Sequence, residues 1–154
     1  MAQWFLRNQI LITVITAWAL AQIIKAFLYL RIEGEFRAER LIGSGGMPSS
    51  HSSTVCSLAV SAAFIYGIHS FEFAISVVLA IIVMHDAMGV RLETGKQAKI
   101  INAMLMENPF SWKGEIFEQN LKELVGHTPL QVVCGAILGV VIGLVMHWFA
   151  VGLY

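Results

Sequence analysis

Apolar residues gather in four windows, 8–30, 52–68, 71–90 and 129–149, and the charged, hydroxyl and glycine residues concentrate between them. A hydrocarbon core of about 30 Å takes roughly 20 helical residues to cross, so each window predicts a transmembrane helix, the second a short one. No stretch alternates with the period of two that barrel strands need, and in lipid only helices and closed barrels satisfy their own backbone groups. The pattern therefore predicts an all-α integral membrane bundle of about four transmembrane helices. The tight link Tyr66-Gly67-Ile68-His69-Ser70 predicts that the second and third form an antiparallel hairpin. The long connection over residues 92–128 carries two amphipathic stretches, Ala98, Ile101, Met104 and Leu105 in one and Ile116, Phe117, Leu121, Leu124 and Val125 in the other. These predict helices that lie in the membrane interface or cover the loop-side end of the bundle.

Composition supports the same solvent: 57% of the 154 residues are hydrophobic and 13% charged, with a mean hydropathy of +0.72, outside the range of a water-wetted domain. The length fits a single domain over residues 1–154. A formal net charge of zero removes the basic excess that a nucleic-acid partner requires. Cys56 and Cys134 lie in apolar runs and read as packing residues rather than a disulfide or zinc framework. Ala17-Trp18-Ala19 resembles a signal-peptidase site, but apolar residues continue past it, which predicts an uncleaved first helix.

Charge placement orients the bundle. Arg31, Arg37 and Arg40 follow the first window, and Arg91, Lys96, Lys99, Lys113 and Lys122 lie between the third and fourth, whereas residues 67–72 hold no Lys or Arg. The positive-inside rule then puts both long loops in the cytoplasm, with Arg7 mildly opposed, and the uncleaved first helix leads to the expectation of a cytoplasmic (inner) membrane. Gly135, Gly139 and Gly143 form a ladder on one face of the last helix, expected to pack closely within the chain rather than in a dimer contact.

The polar motifs all fall on the loop side. Gly43-Ser44-Gly45-Gly46-Met47-Pro48-Ser49-Ser50-His51-Ser52-Ser53 is a glycine- and hydroxyl-rich loop that runs into an apolar helix. It has the physics of an anion cradle: Gly45 and Gly46 let the backbone approach, Ser49 and Ser50 donate hydrogen bonds, and the amides of the helix start face the ligand. His51 stands where it can protonate a leaving oxygen. Capping alone would explain one of the serines but not the histidine.

At the loop-side end of the third window, Asp86-Ala87-Met88-Gly89-Val90-Arg91 sets an acid and an arginine about one and a half turns apart. Arg91 can grip phosphate oxygens, or simply anchor the helix end, and Asp86 can orient a basic or imidazole partner. His85 reads as a packed neighbour. In the third cluster, Lys122-Glu123-Leu124-Val125-Gly126-His127-Thr128-Pro129-Leu130-Gln131, Pro129 suits the first helical position and Thr128 the N-cap, which sets His127 at a helix start. Lys25 reaches toward the same phosphate from inside the bundle or snorkels to the headgroups. Two histidines, an anion cradle and an arginine at one end of a small bundle complete an inventory for metal-free phosphoryl transfer. His69 and His147 belong to the opposite face.

Three segments, Gly45-Gly46-Met47-Pro48-Ser49-Ser50-His51-Ser52, Asp86 to Arg91, and Leu121 to Pro129, together resemble the divergent branch of the type 2 phosphatidic acid phosphatase superfamily, related to acid phosphatases and vanadium haloperoxidases. The resemblance covers most of the chain. It implies a hydrolase of phosphomonoesters or pyrophosphates that needs no metal or other cofactor and works through a phosphohistidine. His127 then resembles the nucleophile, His51 the acid of the Pro-Ser-x-His motif, and Lys25 the lysine of the first motif. Three positions depart from the pattern. Ile32 and Glu33 stand where an Arg-Pro pair is expected, and Lys122 where an arginine precedes the nucleophile. Gln131 stands where a carboxylate orients the nucleophile. A neutral amide holds an imidazole in place without stabilising its charged form, so Asp86 or Glu123 substitutes or turnover is weak. Families of this kind have more helices, which leaves room for a homodimer in which a second copy completes the bundle.

The function expected is a membrane-embedded lipid phosphatase acting on a phospholipid or isoprenoid phosphate at the cytoplasmic surface. The alternative is a noncatalytic phospholipid-binding or assembly protein that keeps the cradle. A channel or transporter subunit using Lys25 and Asp86 as buried charges leaves the Pro-Ser-Ser-His loop without a use.

Overall fold

The computed structural model describes residues 8–34, 45–107, 121 and 126–151. Among the described residues five helices follow one another: α1 Gln9–Glu33, α2 Ser50–Tyr66, α3 Phe71–Met88, α4 Val90–Glu107 and α5 Pro129–Val151. Among the described residues there is no strand. The segments Gln9–Ile32, Phe71–Met104 and Pro129–Ala150 are long and apolar enough to cross a membrane.

The helix α2, with 17 residues, is shorter, and its position explains its sequence. It packs against α1, α3 and α5, and its Ser50, Ser52, Ser53, Ser57 and Ser61 are all buried. Such a helix meets protein rather than lipid on most sides, so it needs small residues for close approach more than it needs hydropathy. Ser53 donates its hydroxyl to the Ala17 carbonyl of α1 at 3.2 Å, and Ser57 and Thr54 bond back to their own helix.

Small side chains fill the interior and large ones cover the outside. Ala17, Ala21, Ala62, Ala80 and Ala87 are buried, whereas Ile23, Ile81, Ile82, Ile137 and Trp148 are exposed. That distribution inverts a water-soluble core and suits a lipid-facing bundle. The glycine ladder of α5 is used within the chain, as expected. A Cβ at Gly135 or Gly139 would collide with the backbone of Ser49 or Ser53, and one at Gly143 with the Val60 side chain. The predicted hairpin is also present: α2 ends at Gly67, and Ser70 caps α3 by accepting the Phe73 N–H at 3.1 Å.

Past α3 the chain does not leave the bundle as a loop. It turns at Gly89, whose N–H donates to the His85 carbonyl at 2.8 Å, and continues as α4. Gly95, Ala98 and Asn102 form the buried face of α4, while Ile101 and Met104 of the first amphipathic stretch point away. Of the second stretch only Leu121 lies within the described residues. His85 is exposed rather than packed. The first helix runs without interruption through Ala17-Trp18-Ala19, and Cys56 and Cys134 are free and half-buried.

Candidate active site

Three backbone junctions bring the loop-side ends of the helices together. Ser49 N–H donates to the Gln131 carbonyl at 3.0 Å, tying the glycine-rich loop to the first turn of α5. His127 N–H donates to the Ala87 carbonyl at 2.9 Å, tying the start of α5 to the end of α3. Gly126, at φ +86°, fits against the Arg91–Leu92 backbone so closely that any Cβ would overlap it. A residue with a side chain would push His127 off this ledge.

His127 is 1% exposed, and its ring is held from one side. Nδ1 lies 3.1 Å from the Gly46 carbonyl oxygen and 3.2 Å from Gln131 Oε1. Both neighbours are acceptors, so Nδ1 carries the ring proton and donates it between them. The Gln131 amide is itself fixed, because its Oε1 also accepts the Thr128 N–H at 3.2 Å, while Thr128 Oγ1 accepts the Gln131 N–H at 3.4 Å. This is a capping box, and it makes the helix cap of α5 and the orientation of His127 one network. The opposite nitrogen, Nε2, is buried without a partner and keeps a free lone pair. Burial holds the pKa of His127 below its usual value, with the charges of Lys25 and His51 acting in the same sense and the bonds to Gln131 and Gly46 against it.

His51, on the first turn of α2, sets its ring 5.8 Å from that of His127 at an interplanar angle of 67°. Its Nδ1 is buried and unpartnered. Burial first, then the cations of Arg91 and Lys25, lower its pKa, partly offset by Asp86. Those charges act on His51 only because the side chains converge on it from α1 and the α3–α4 junction. Lys25 is 4% exposed, and its aliphatic stem packs on Gly46, whose φ is +82° and whose missing side chain leaves the room.

The remaining candidates separate. Gly45 is buried and Gly46 half-buried; the Gly46 carbonyl accepts from His127, and the donors this loop offers an anion are its backbone amides. Ser49 is fully buried and its hydroxyl oxygen caps α2, accepting the Ser52 N–H at 3.4 Å. Ser50 is buried beside it. Arg91 Nε donates to Asp86 Oδ2 at 2.6 Å with both side chains partly exposed, so Asp86 holds Arg91 and not an imidazole. The break at Gly89 is what brings these two together. Lys122 and Glu123 lie outside the described residues. Among the described residues, no three His, Cys, Asp or Glu side chains gather into a metal-ligand set.

Sequence reasoning named Thr128 as the cap and Gln131 as the orienting residue without the bonds that join them, and passed over the Gly46 carbonyl and the Ser52 hydroxyl. The Gly46 carbonyl has no side-chain signature. The Thr128-x-x-Gln131 spacing is a capping-box pattern and was legible. Ser52 Oγ, one residue past His51, is also fully buried and without a partner.

The chain is 35% identical over 153 residues to the uncharacterized membrane protein YuiD of Bacillus subtilis (strain 168), an alignment spanning 94% of this chain and 97% of that one. No solved structure matches it significantly. The Divergent PAP2 family matches residues 6–142, the stretch that contains both histidines, the glycine-rich loop and the α3–α4 junction, and this integral membrane protein belongs to that family.

Proposed function

We propose that the protein is a membrane-embedded phosphatase for lipid phosphate monoesters or pyrophosphates, with His127 as nucleophile and His51 as acid. The observation that carries this reading is the setting of His127: Nδ1 lies between two acceptors, the Gly46 carbonyl and Gln131 Oε1, which assigns it the ring proton and leaves Nε2, buried and unpartnered, with an unused lone pair. Nε2 attacks phosphorus, a P–N bond forms, and the P–O ester bond breaks. The leaving oxygen takes a proton from His51. Water then attacks the phosphohistidine, with His51 accepting its proton, and inorganic phosphate departs. Lys25, Arg91 and the amides at Gly45 and the start of α2 supply the positive field for the phosphoryl oxygens, with Ser50 beside them. The charge of a bound phosphate favours the protonated form of His51 that the empty site disfavours, so substrate binding itself arms the acid. The site faces the cytoplasm if the basic loops do, in a cytoplasmic membrane.

The neutral Gln131 favours a second reading, a phospholipid-binding or assembly protein without turnover. Phosphate release from a panel of lipid phosphates and pyrophosphates, by protein purified in detergent with EDTA, separates the two. Release that vanishes in His127→Ala and in His51→Ala supports the phosphatase. Silence from wild type and from Gln131→Glu alike leaves the binding role.

A further inference from the structure

Buried polar atoms in folded proteins nearly always have partners, so the exceptions outline what a ligand supplies. Among the described residues the unpartnered buried atoms are Gln22 Oε1, His51 Nδ1, Ser52 Oγ, His127 Nε2 and His147 Nδ1. The first four belong to the loop-side half of the bundle, and the two ring nitrogens are accounted for by a phosphoryl group between the histidines. Gln22 is not. It is 6% exposed on α1, one turn before Lys25, so their Cβ atoms are about 5–6 Å apart. The Lys25 stem lies on Gly46, beneath the histidines.

An amide oxygen only accepts hydrogen bonds. A phosphoryl oxygen cannot satisfy it, and the cations and hydroxyls nearby already suit the phosphate. Within a bound phosphate ester, the part beyond the phosphate is what can supply a donor to it. Gln22 stands about 4.5 Å deeper along α1 than Lys25, on the side toward which the alcohol half of a lipid phosphate extends from its phosphate. We infer that Gln22 is a specificity-determining residue that accepts a hydrogen bond from a headgroup hydroxyl, so that the ligand is a phosphate ester of a polyol rather than of a hydrocarbon alcohol such as an isoprenoid. This rests on the reading of the site as one for phosphate esters, and it adds the alcohol half of the ligand.

The test compares two matched short-chain lipid phosphonates, one bearing a hydroxyl on the carbon adjacent to the one carrying the phosphonate ester position and the other deoxy. Their affinities for wild type and Gln22→Met are measured by titration calorimetry in detergent, with phosphate release from the matched monoesters measured in parallel. Methionine keeps the volume and removes the acceptor. Wild type should bind the hydroxylated compound about tenfold or more tightly, and the ratio should fall to about one in Gln22→Met. Equal affinities in wild type, as expected if the amide presents its NH₂ to the phosphate, overturn the inference, and so does a ratio that survives in Gln22→Met. A preference that follows the ionisation of the phosphonate, equal for both compounds, assigns the donor to the phosphate's own proton and overturns it too. A hydroxyl preference without any phosphate release upholds the role of Gln22 while removing the phosphatase reading, and no binding of either compound removes both.

Discussion

His127 presents Nδ1 to the amide oxygen of Gln131 at 3.2 Å, four residues on along the chain. That oxygen also accepts the Thr128 N–H, so one side chain closes the cap of α5 and fixes the tautomer of the proposed nucleophile. A carboxylate at the same position accepts both bonds and in addition stabilises the positive charge that the ring acquires when Nε2 bonds phosphorus. Gln131→Glu should therefore raise kcat, by about tenfold, and move the acid limb of the pH profile upward. Gln131→Leu should lose turnover and about 1 kcal/mol of stability from the cap. Steady-state kinetics and thermal melts of both variants check this.

The stability of the protein should fall as pH drops. Burial lowers the folded-state pKa of His127 below the ordinary value of about 6.5, so between the two values the unfolded chain binds more protons than the folded one. The slope of unfolding free energy against pH is then positive. The contribution of the neutral imidazole is complete above about pH 6.5 and is lost as pH falls toward the folded pKa. Melting temperatures between pH 7 and 5 should decline, and His127→Gln should flatten the decline. His51, lowered in the same direction, leaves a residual slope in that variant.

The helices were legible because a hydrocarbon solvent imposes length and hydropathy on any segment that faces it. The segment Ser50–Tyr66 was the least legible for the converse reason: enclosed by α1, α3 and α5, it owes its serines to packing. The partner of the glycine ladder was unreadable too, since Gly135 and Gly139 declare a close approach without naming Ser49 and Ser53. At the site, residue types pointed to both histidines and to Lys25. For Asp86 the sequence offered a basic or an imidazole partner without choosing, and it is the basic one, Arg91, that it holds; the turn at Gly89 that closes this pair is invisible in a hydrophobic pattern. The alpha-carbon trace of Gly46, whose carbonyl shares the His127 proton, carries no side-chain signal at all.

Replacing the ladder glycines should cost stability in a definite order. A Cβ at Gly135 or Gly139 meets backbone of α2, which cannot yield without moving the helix, whereas at Gly143 it overlaps less deeply, meeting Cγ1 and Cβ of the Val60 side chain at 2.7 and 2.8 Å. Gly135→Ala and Gly139→Ala should each lower stability by about 1–3 kcal/mol, and Gly143→Ala by less. Unfolding in a denaturing detergent titration reads the order. A shift in oligomeric state with stability unchanged would instead place the ladder in a dimer contact.

Asn102, 4% exposed on the inner face of α4, donates Nδ2–H to the Leu121 carbonyl at 2.9 Å and accepts the Leu121 N–H at 3.0 Å. It pins the chain five residues before Gly126. Asn102→Ala removes both bonds and should cost about 1–3 kcal/mol. Asn102→Asp keeps the acceptor but sets a carboxylate oxygen against the Leu121 carbonyl, so it should recover little. Thermal melts of the two variants decide whether both bonds matter.

Asp86 and Arg91 offer the last separation. Their side chains are 43% and 46% exposed, and an ion pair this open contributes about 0–1 kcal/mol. Asp86→Asn should leave the melting temperature almost unchanged. What it removes is the charge that strengthens the 2.6 Å bond aiming the Arg91 guanidinium. If Arg91 binds phosphate in the ground state and Asp86 acts only by positioning it, KM should rise several-fold in Asp86→Asn while kcat changes little, and Arg91→Ala should raise KM further. A fall in kcat at constant KM would mean that Asp86 acts on the histidines during turnover, as the sequence alone had suggested.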